Sequence, residues 1–337
     1  MSALLASPPQ AYSPAEREGA RFPRPRRGMT MHKYGFRWIL AMVAVFAMVA
    51  AACSNDDTSS SGGSTSAAAA GNTVCASADT SAGDLLAKIC SDGEIHVSTD
   101  PAYPPQSSLN PETNEYEGFD IDTATAIADQ LGVKIVWETP SWNAITAGNW
   151  NGRWDMSVGS MTVTKERSQV LDFTPAYYYT PASIAVPSGS DITSVEQLSG
   201  KTIGVCAGCT YDFYLQGTLD IPGYTYESPI TDPVIKGFDT DSTAIQALQA
   251  GQVDAVMSAT PTLQAAIDKG RPMQLLGDPL FYEPLSVAFD KESELDPASV
   301  VAAVSDIVDQ MHKDGSLTDL SMKWYDEDLT VDNSSTA

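Results

Sequence analysis

From residue 82 onward, short β-branched runs alternate with segments whose apolar residues recur at helical spacing, and this alternation runs through twice. In the first set, Asp84–Ser91 reads as a helix and Glu94–Thr99 as a strand. Asp120–Leu131 carries Ile121, Ala124, Ala128 and Leu131 on one helical face, with Gly132 as its stop. Val133–Trp137 reads as the next strand, Ser141–Gly148 as a helix and Trp154–Val158 as a strand. The second set begins near Val186. It comprises strand Thr202–Val205, helix Thr210–Gln216, strand Ile235–Phe238, helix Ser242–Ala250, strand Val253–Met257 and helix Thr260–Lys269. A strand at Pro284–Phe289 is followed by a long amphipathic helix, Asp296–Lys313, which Gly315 breaks before a last helix at Leu317–Tyr325. Strands separated by helices need crossovers, so the rhythm predicts an α/β fold with parallel sheets covered by helices on both faces. Connectors carrying Pro and Gly, around Ala185–Ser190 and Gly277–Pro284, would cross between two such units and act as a hinge.

The N-terminus reads as an export signal. Seven of the 19 basic residues but two of the 43 acidic ones precede residue 53. After His32, Lys33 and Arg37 comes an apolar run, Trp38–Ala52, too short for an ordinary membrane span. It ends in V-A-A-A-C at Val49–Cys53, which resembles a bacterial lipobox with Ala50 where Leu is commoner. Cleavage before Cys53 would leave that cysteine carrying lipid; cleavage near the alanines as a plain secretory signal is the alternative. Residues 1–28 are Pro/Arg-rich and long for the start of a signal, which points to Met29 or Met31 as the true start. Residues 1–52 are thus expected to be extension and signal, and 53–80 a flexible Ser/Gly/Ala/Thr tether holding a soluble domain at the outer face of a membrane. With a formal net charge of −24, the chain repels phosphate backbones, which argues against nucleic-acid binding.

Four cysteines remain once Cys53 is lipidated, an even count suited to an oxidising compartment. A Cys75–Cys90 bridge would pin the tether to the domain. Cys206 and Cys209 form C-A-G-C after a strand; a structural disulfide and a redox pair are both open readings. The three histidines, His32, His96 and His312, have no Cys or carboxylate neighbours at ligand spacing, so no metal site and no cofactor is expected.

The stretch Ser157–Arg167, S-V-G-S-M-T-V-T-K-E-R, reads as a pocket wall for a carboxylate. Gly159 permits close backbone approach, and Ser160 and Thr162 offer hydroxyl and N–H donors. Thr164 is placed to cap a helix whose first turn would hold Arg167, a planar fork suited to a carboxylate, with the helix N-terminus adding a favourable field.

Several ordered blocks together resemble the family-3 extracellular solute-binding proteins, the polar amino-acid receptors of bacterial ABC importers. G-F-D-I-D-T-A-T-A-I-A-D-Q-L at Gly118–Leu131 resembles the family signature except at Thr123, where an apolar residue is usual. W-D-M-S-V-G-S-M-T-V-T-K-E-R followed by D-F-T-P at Asp172–Pro175 is similar to the next block. G-V-C-A-G-C-T at Gly204–Thr210 and A-G-Q-V-D-A-V at Ala250–Val256 resemble the second lobe's loop and strand. The likeness covers about Glu94–Tyr325. It implies a two-lobe Venus flytrap of the type II periplasmic binding protein class, each lobe a mostly parallel sheet flanked by helices. Lobe 1 would span 81–185 and 282–330, lobe 2 would span 186–281, and 331–337 would be a disordered tail.

The resemblance also implies a ligand set. Tyr103 and Trp142 would form aromatic walls, Asp100 would assist a ligand cation, and Ser160, Thr162, Arg167 and Thr210 would contact an amino acid's carboxylate and ammonium, with Gly159 facing the ligand. One departure stands out. The family's main ammonium anchor is an Asp five residues beyond the Asp of its D-A-x-x-x-D pattern; here D-A-V-M-S-A-T puts Ala259 there. Asp239 or Asp241 could supply the charge, or simply cap the helix at Ser242. The implied function is a monomeric, exported solute-binding protein, in the periplasm or at the outer membrane face. It would bind a small carboxylate-bearing solute and deliver it to an ABC importer's transmembrane subunits, with membrane attachment through lipid on Cys53. The family also holds periplasmic dehydratases of prephenate-like acids, but Ala259 and Cys209 stand where an acid–base group would be sought, so catalysis is not expected. A ligand-binding sensor domain is a third reading.

Overall fold

The structure, a computed structural model, describes residues 73–332. The signal, Cys53 and the tether up to residue 72 lie outside the described residues, as does 333–337. Within them, nine strands form one continuous sheet with two parallel ends. At one end Glu94–Ser98 lies between Lys134–Glu138 and Met156–Thr162, parallel to both. At the other, Thr202–Cys206 lies between Val234–Phe238 and Ala255–Ala259, again parallel to both. These are the two α/β units that the rhythm of the sequence predicts.

What joins them differs from expectation. The crossings are made by two long strands rather than by Pro/Gly loops. Leu171–Pro187 and Phe281–Asp290 run antiparallel and stay paired from Asp290 opposite Leu171 to Phe281 opposite Ala182, with two shifts of register on the way. Phe281–Asp290 also pairs with Met156–Thr162 of the first unit, while the far end of Leu171–Pro187 pairs with Ala255–Ala259 and Met273–Leu275 of the second. The sheet is therefore mixed at its centre and parallel at its ends. Pro175, Pro181 and Pro187 hide the 17-residue strand, because a proline donates nothing to a ladder and argues against a central strand. The register slips between Leu285 and Ser286, which leaves Tyr177 as an extra residue on the longer strand, and such a bulge re-aims a side chain.

The local starts and stops follow ordinary rules. Asp84 caps Leu85–Asp92 by accepting from the Ala87 N–H at 2.8 Å, and Gly93 closes that helix in the left-handed region. Helix Phe119–Leu131 needs Gly118 at its start: φ is +136°, and a Cβ there would lie 2.2 Å from the Gln106 carbonyl oxygen. Each unit has its own core. Ile95, Val97, Phe119, Ile127 and Met156 pack with Val304, Val308 and Leu317 of the C-terminal helices Ala298–Asp314 and Ser316–Tyr325, so the chain returns to the first unit. Ile203, Val205, Met257 and Phe281 centre a core in the second unit. Disulfides join Cys75 to Cys90 and Cys206 to Cys209, with Cα–Cα distances of 5.1 and 5.4 Å. Among the described residues no helix is long and apolar enough to cross a membrane.

Candidate functional site

A cavity lies where the two units meet beside the crossing strands, with about 450 Å³ of empty space including its mouth, within the range of small-molecule sites. All eight residues expected from the sequence to face a ligand line it: Asp100, Tyr103, Trp142, Gly159, Ser160, Thr162, Arg167 and Thr210. Their surroundings differ from expectation in three ways.

First, Arg167 does not open an α-helix. It begins a three-residue 3₁₀ turn, Arg167–Gln169, and its N–H donates to Thr164 Oγ1 at 3.2 Å. Thr164 therefore accepts from the Arg167 N–H but does not cap a helix, since the turn's N-cap position is Glu166, and so short a turn supplies no helical field for an anion. The guanidinium is 4 % exposed and lies over the Trp142 ring, its carbon 5.0 Å from the centroid. Nη1 donates to the Thr162 carbonyl at 3.0 Å and Nη2 to the Gly208 carbonyl at 3.1 Å, so two of five donors are spoken for. Burial lowers its pKa to about 10. Trp142 Nε1 also donates to the Gly208 carbonyl, at 3.2 Å. The C-A-G-C loop, bridged by its disulfide, thereby presents one carbonyl of the second unit to two side chains of the first.

Second, Ser160 turns its hydroxyl away from a ligand. Its φ of +56° is left-handed, and its Oγ donates to Asp120 Oδ2 at 2.6 Å. Tyr177, re-aimed by the bulge, donates to the other oxygen of Asp120 at 2.6 Å. Asp120 is fully buried beneath the cavity wall, and desolvation raises its pKa to about 7.

Third, Thr162 and Thr210 already donate to a carboxylate. Glu283, 2 % exposed on Phe281–Asp290, accepts from Thr162 Oγ1 (2.7 Å), Thr210 Oγ1 (2.5 Å) and the Tyr211 hydroxyl (2.7 Å). Tyr103 lies 3.2 Å from the Tyr211 hydroxyl and is its donor, since the Tyr211 proton goes to Glu283. The sequence reading missed Glu283. A signal existed: Phe281, Glu283 and Leu285 alternate onto one buried face of the strand, which put a carboxylate inward.

Asp241 corrects another expectation. Neither Asp239 nor Asp241 caps the helix Asp241–Gln249; Thr240 does, through a capping box with Thr243. Asp241 is the first helical residue, 5 % exposed, and lines the cavity. Ser258 Oγ donates to its Oδ1 at 2.6 Å. Desolvation raises its pKa to about 7, with Asp100 and Glu283 nearby adding to the rise. Asp100, whose Oδ1 accepts from the Ala102 N–H, is also raised by desolvation. Cys206, Cys209 and Asp241 stand close enough together to suggest a metal site, but both thiols are consumed by the disulfide.

The comparisons with known proteins agree with this architecture. The sequence profile of the bacterial extracellular solute-binding proteins, family 3, matches residues 95–327, and the chain belongs to that family. A probable amino-acid-binding protein of Bacillus subtilis (strain 168), YxeM, is 30% identical over 244 residues, covering 72% of this chain and 87% of the relative. An ancestral arginine-binding protein solved with arginine bound is 29% identical, with a TM-score of 0.60 and coverage of 69% of this chain and 98% of that one. An ancestral amino-acid-binding protein described as a precursor of cyclohexadienyl dehydratase is 27% identical, with a TM-score of 0.61 over 71% of this chain and 99% of that one. The fold is the type II periplasmic binding protein fold of these neighbours.

The buried acids make stability depend on pH. An acid whose folded pKa is raised from 3.8 to about 7 stabilises the fold below the unfolded value and loses that contribution as pH rises through 7. Asp241→Asn removes this loss. The ligand-free variant is expected to exceed the wild type at pH 8 by on the order of a few kcal/mol, with the gap closing toward pH 4. Urea unfolding at the two pH values checks it; an equal gap at both would contradict the assignment.

Proposed function

We propose that this chain is the extracytoplasmic receptor of an ABC importer, anchored by lipid on Cys53, and that it closes its two units over a small amino-acid-type solute bearing a carboxylate. The observation that carries this reading is Arg167. It is a buried cation at the cavity wall with three donors not engaged by protein groups among the described hydrogen bonds, stacked on Trp142 and reaching across to Gly208. Burying a guanidinium is costly unless anions compensate it, and a ligand carboxylate brought against its fork supplies a charge-assisted pair. Family membership and relatives that bind amino acids support the same ligand class.

Closure follows from the geometry. The first unit brings Arg167 and Trp142, the second brings Gly208, Thr210 and Tyr211, and Glu283 sits on a crossing strand between them. A ligand touching both sets binds the closed form better than the open one and shifts the population toward it. A receptor of this kind needs no acid–base step. Glu283 is held by three hydroxyls, while burial disfavours the charged forms of Asp241 and Asp100, and the dehydratase precursor among the structural neighbours keeps enzymatic turnover as the reading to test against.

Arg167→Ala is expected to weaken binding of the best amino-acid ligand by roughly 2–5 kcal/mol, the usual loss when one partner of a buried charge pair is removed. Isothermal titration checks this, and unchanged affinity would sink the assignment. Turnover of a cyclohexadienyl acid by the purified protein would favour the enzymatic reading instead. For the anchor, Cys53→Ser is expected to abolish incorporation of a labelled fatty acid and release the protein from membranes. Labelling that persists in the variant would rule Cys53 out.

A further inference from the structure

The C-A-G-C disulfide sits where a crosslink adds least to stability and where a small molecule can reach it. Cys206 ends strand Thr202–Cys206 and Cys209 precedes helix Thr210–Gln216, so the bridge closes only the turn Ala207–Gly208. In the chain-entropy model a disulfide stabilises more as its loop lengthens. A sequence separation of 3 therefore gives far less than the 15 between Cys75 and Cys90. Hydrogen bonds already hold the turn. The Ala207 N–H donates to the Phe238 carbonyl at 2.9 Å, and the Gly208 N–H donates to Asp212 Oδ2 at 2.9 Å. Cys206 and Cys209 both line the cavity, with Cys209 the more exposed at 9 % against 4 %.

An acid stands beside the bridge. One oxygen of Asp241 and both sulfurs lie within 4.8 Å of one another, and Ser258 holds that carboxyl by donating to Oδ1 at 2.6 Å. Breaking a disulfide releases a thiolate. A carboxyl that keeps its proton at neutral pH can pass it to that thiolate, directly or through one water. Burial raises the Asp241 pKa to about 7, Ser258 opposes the rise, and the nearby carboxyls of Asp100 and Glu283 add to it. Tyr103, Tyr211, Asp239 and Arg167 complete the titratable lining of the same cavity.

We infer that Cys206–Cys209 is a thiol-exchange site inside the cavity, opened by a low-molecular-weight thiol with Asp241 as proton donor, and that opening it releases the bridge Gly208 makes between the two units. The thiol loses its proton to water, and its sulfur bonds to Cys209 Sγ. The electron pair of the broken S–S bond leaves with Cys206 Sγ, which takes the Asp241 proton; Asp241 recovers one from water. The incoming sulfur is oxidised to a mixed disulfide and Cys206 is reduced, so the exchange needs no other oxidant or reductant. The Gly208 carbonyl, which accepts from Arg167 Nη2 and Trp142 Nε1, then sits on an untied turn. This chemistry is the same whatever solute the cavity takes.

The test exposes the oxidised protein to trifluoroethanethiol at pH 6. This thiol is small, uncharged when protonated, and acidic enough to supply thiolate where Asp241 keeps its proton. Timed samples are blocked with N-ethylmaleimide, and the cysteines carrying each group are located by peptide mass spectrometry. Cys206 and Cys209 are expected to react at least tenfold faster than Cys75 and Cys90, although the latter pair is the less buried. Asp241→Asn, which at this pH removes the proton donor without changing the charge, should slow opening of Cys206–Cys209 at least tenfold and leave Cys75–Cys90 within twofold. Tryptophan emission should change in step with the labelling of Cys206, and the change should be absent from Trp142→Phe. Opening of Cys75–Cys90 first overturns the inference, and that comparison needs no variant to fold. A folded Asp241→Asn protein that opens at the wild-type rate overturns the proton donor. Emission that stays constant while Cys206 is labelled overturns the link to Gly208.

Discussion

The buried carboxylate of Glu283 is the interaction on which the site depends. It projects from one of the two strands that join the units, and it accepts from Thr162 of the first unit and from Thr210 and Tyr211 of the second. A carboxyl taken out of water is costly unless its lone pairs are met, and three hydroxyls meet them here. Those same donors fix the end of strand Met156–Thr162, to whose last carbonyl Arg167 donates, and the start of helix Thr210–Gln216 beside Gly208. Removing Glu283 would free donors on both sides of the cavity at once. The two halves of the site are therefore positioned by a group that belongs to the crossing strands.

Around this fixed centre the site holds charges that the ligand-free protein does not balance. Arg167 is depressed to about 10 and Asp241 raised to about 7, each chiefly because burial disfavours its charged form. Opposite shifts of a base and an acid in one cavity mean that the empty site disfavours both charged forms, and on the proposed reading a bound ligand returns that cost in stability. On the proposed reading, the residues that lower the stability of the empty protein are those that recognise its ligand. That is the usual trade between stability and function.

Much of the fold was legible because local rules and periodicity agree. The helices ended by Gly132 and Gly315 and the parallel strand triplets lie where the pattern puts them. The long strand Leu171–Pro187 was not legible, because its three prolines are tolerated through tertiary pairing that no local rule reports. Arg167 was found, yet the helix expected around it is only a three-residue 3₁₀ turn, because Thr164 can accept from the Arg167 N–H without an α-helix following. All eight expected site residues reach one cavity because the ordered blocks preserve the topology that gathers them. Ser160 shows the limit: its identity suggests a donor for a ligand, but its left-handed backbone aims it at Asp120. Glu283 went unassigned, and Asp241 was weighed only beside Asp239 as a source of charge or a helix cap, for one reason. The family pattern holds no place for them, and a carboxylate read alone passes for surface.

The most direct measurement is the proton balance of binding, taken as the heat of ligand association in buffers of different ionisation enthalpy. If a ligand cation settles against Asp241, whose pKa in the empty site is about 7, that carboxyl must shed its proton as the complex forms. Protons should therefore be released at pH 6, with the release fading toward pH 9. Binding at pH 6 with no proton exchange, or with uptake, would contradict the account.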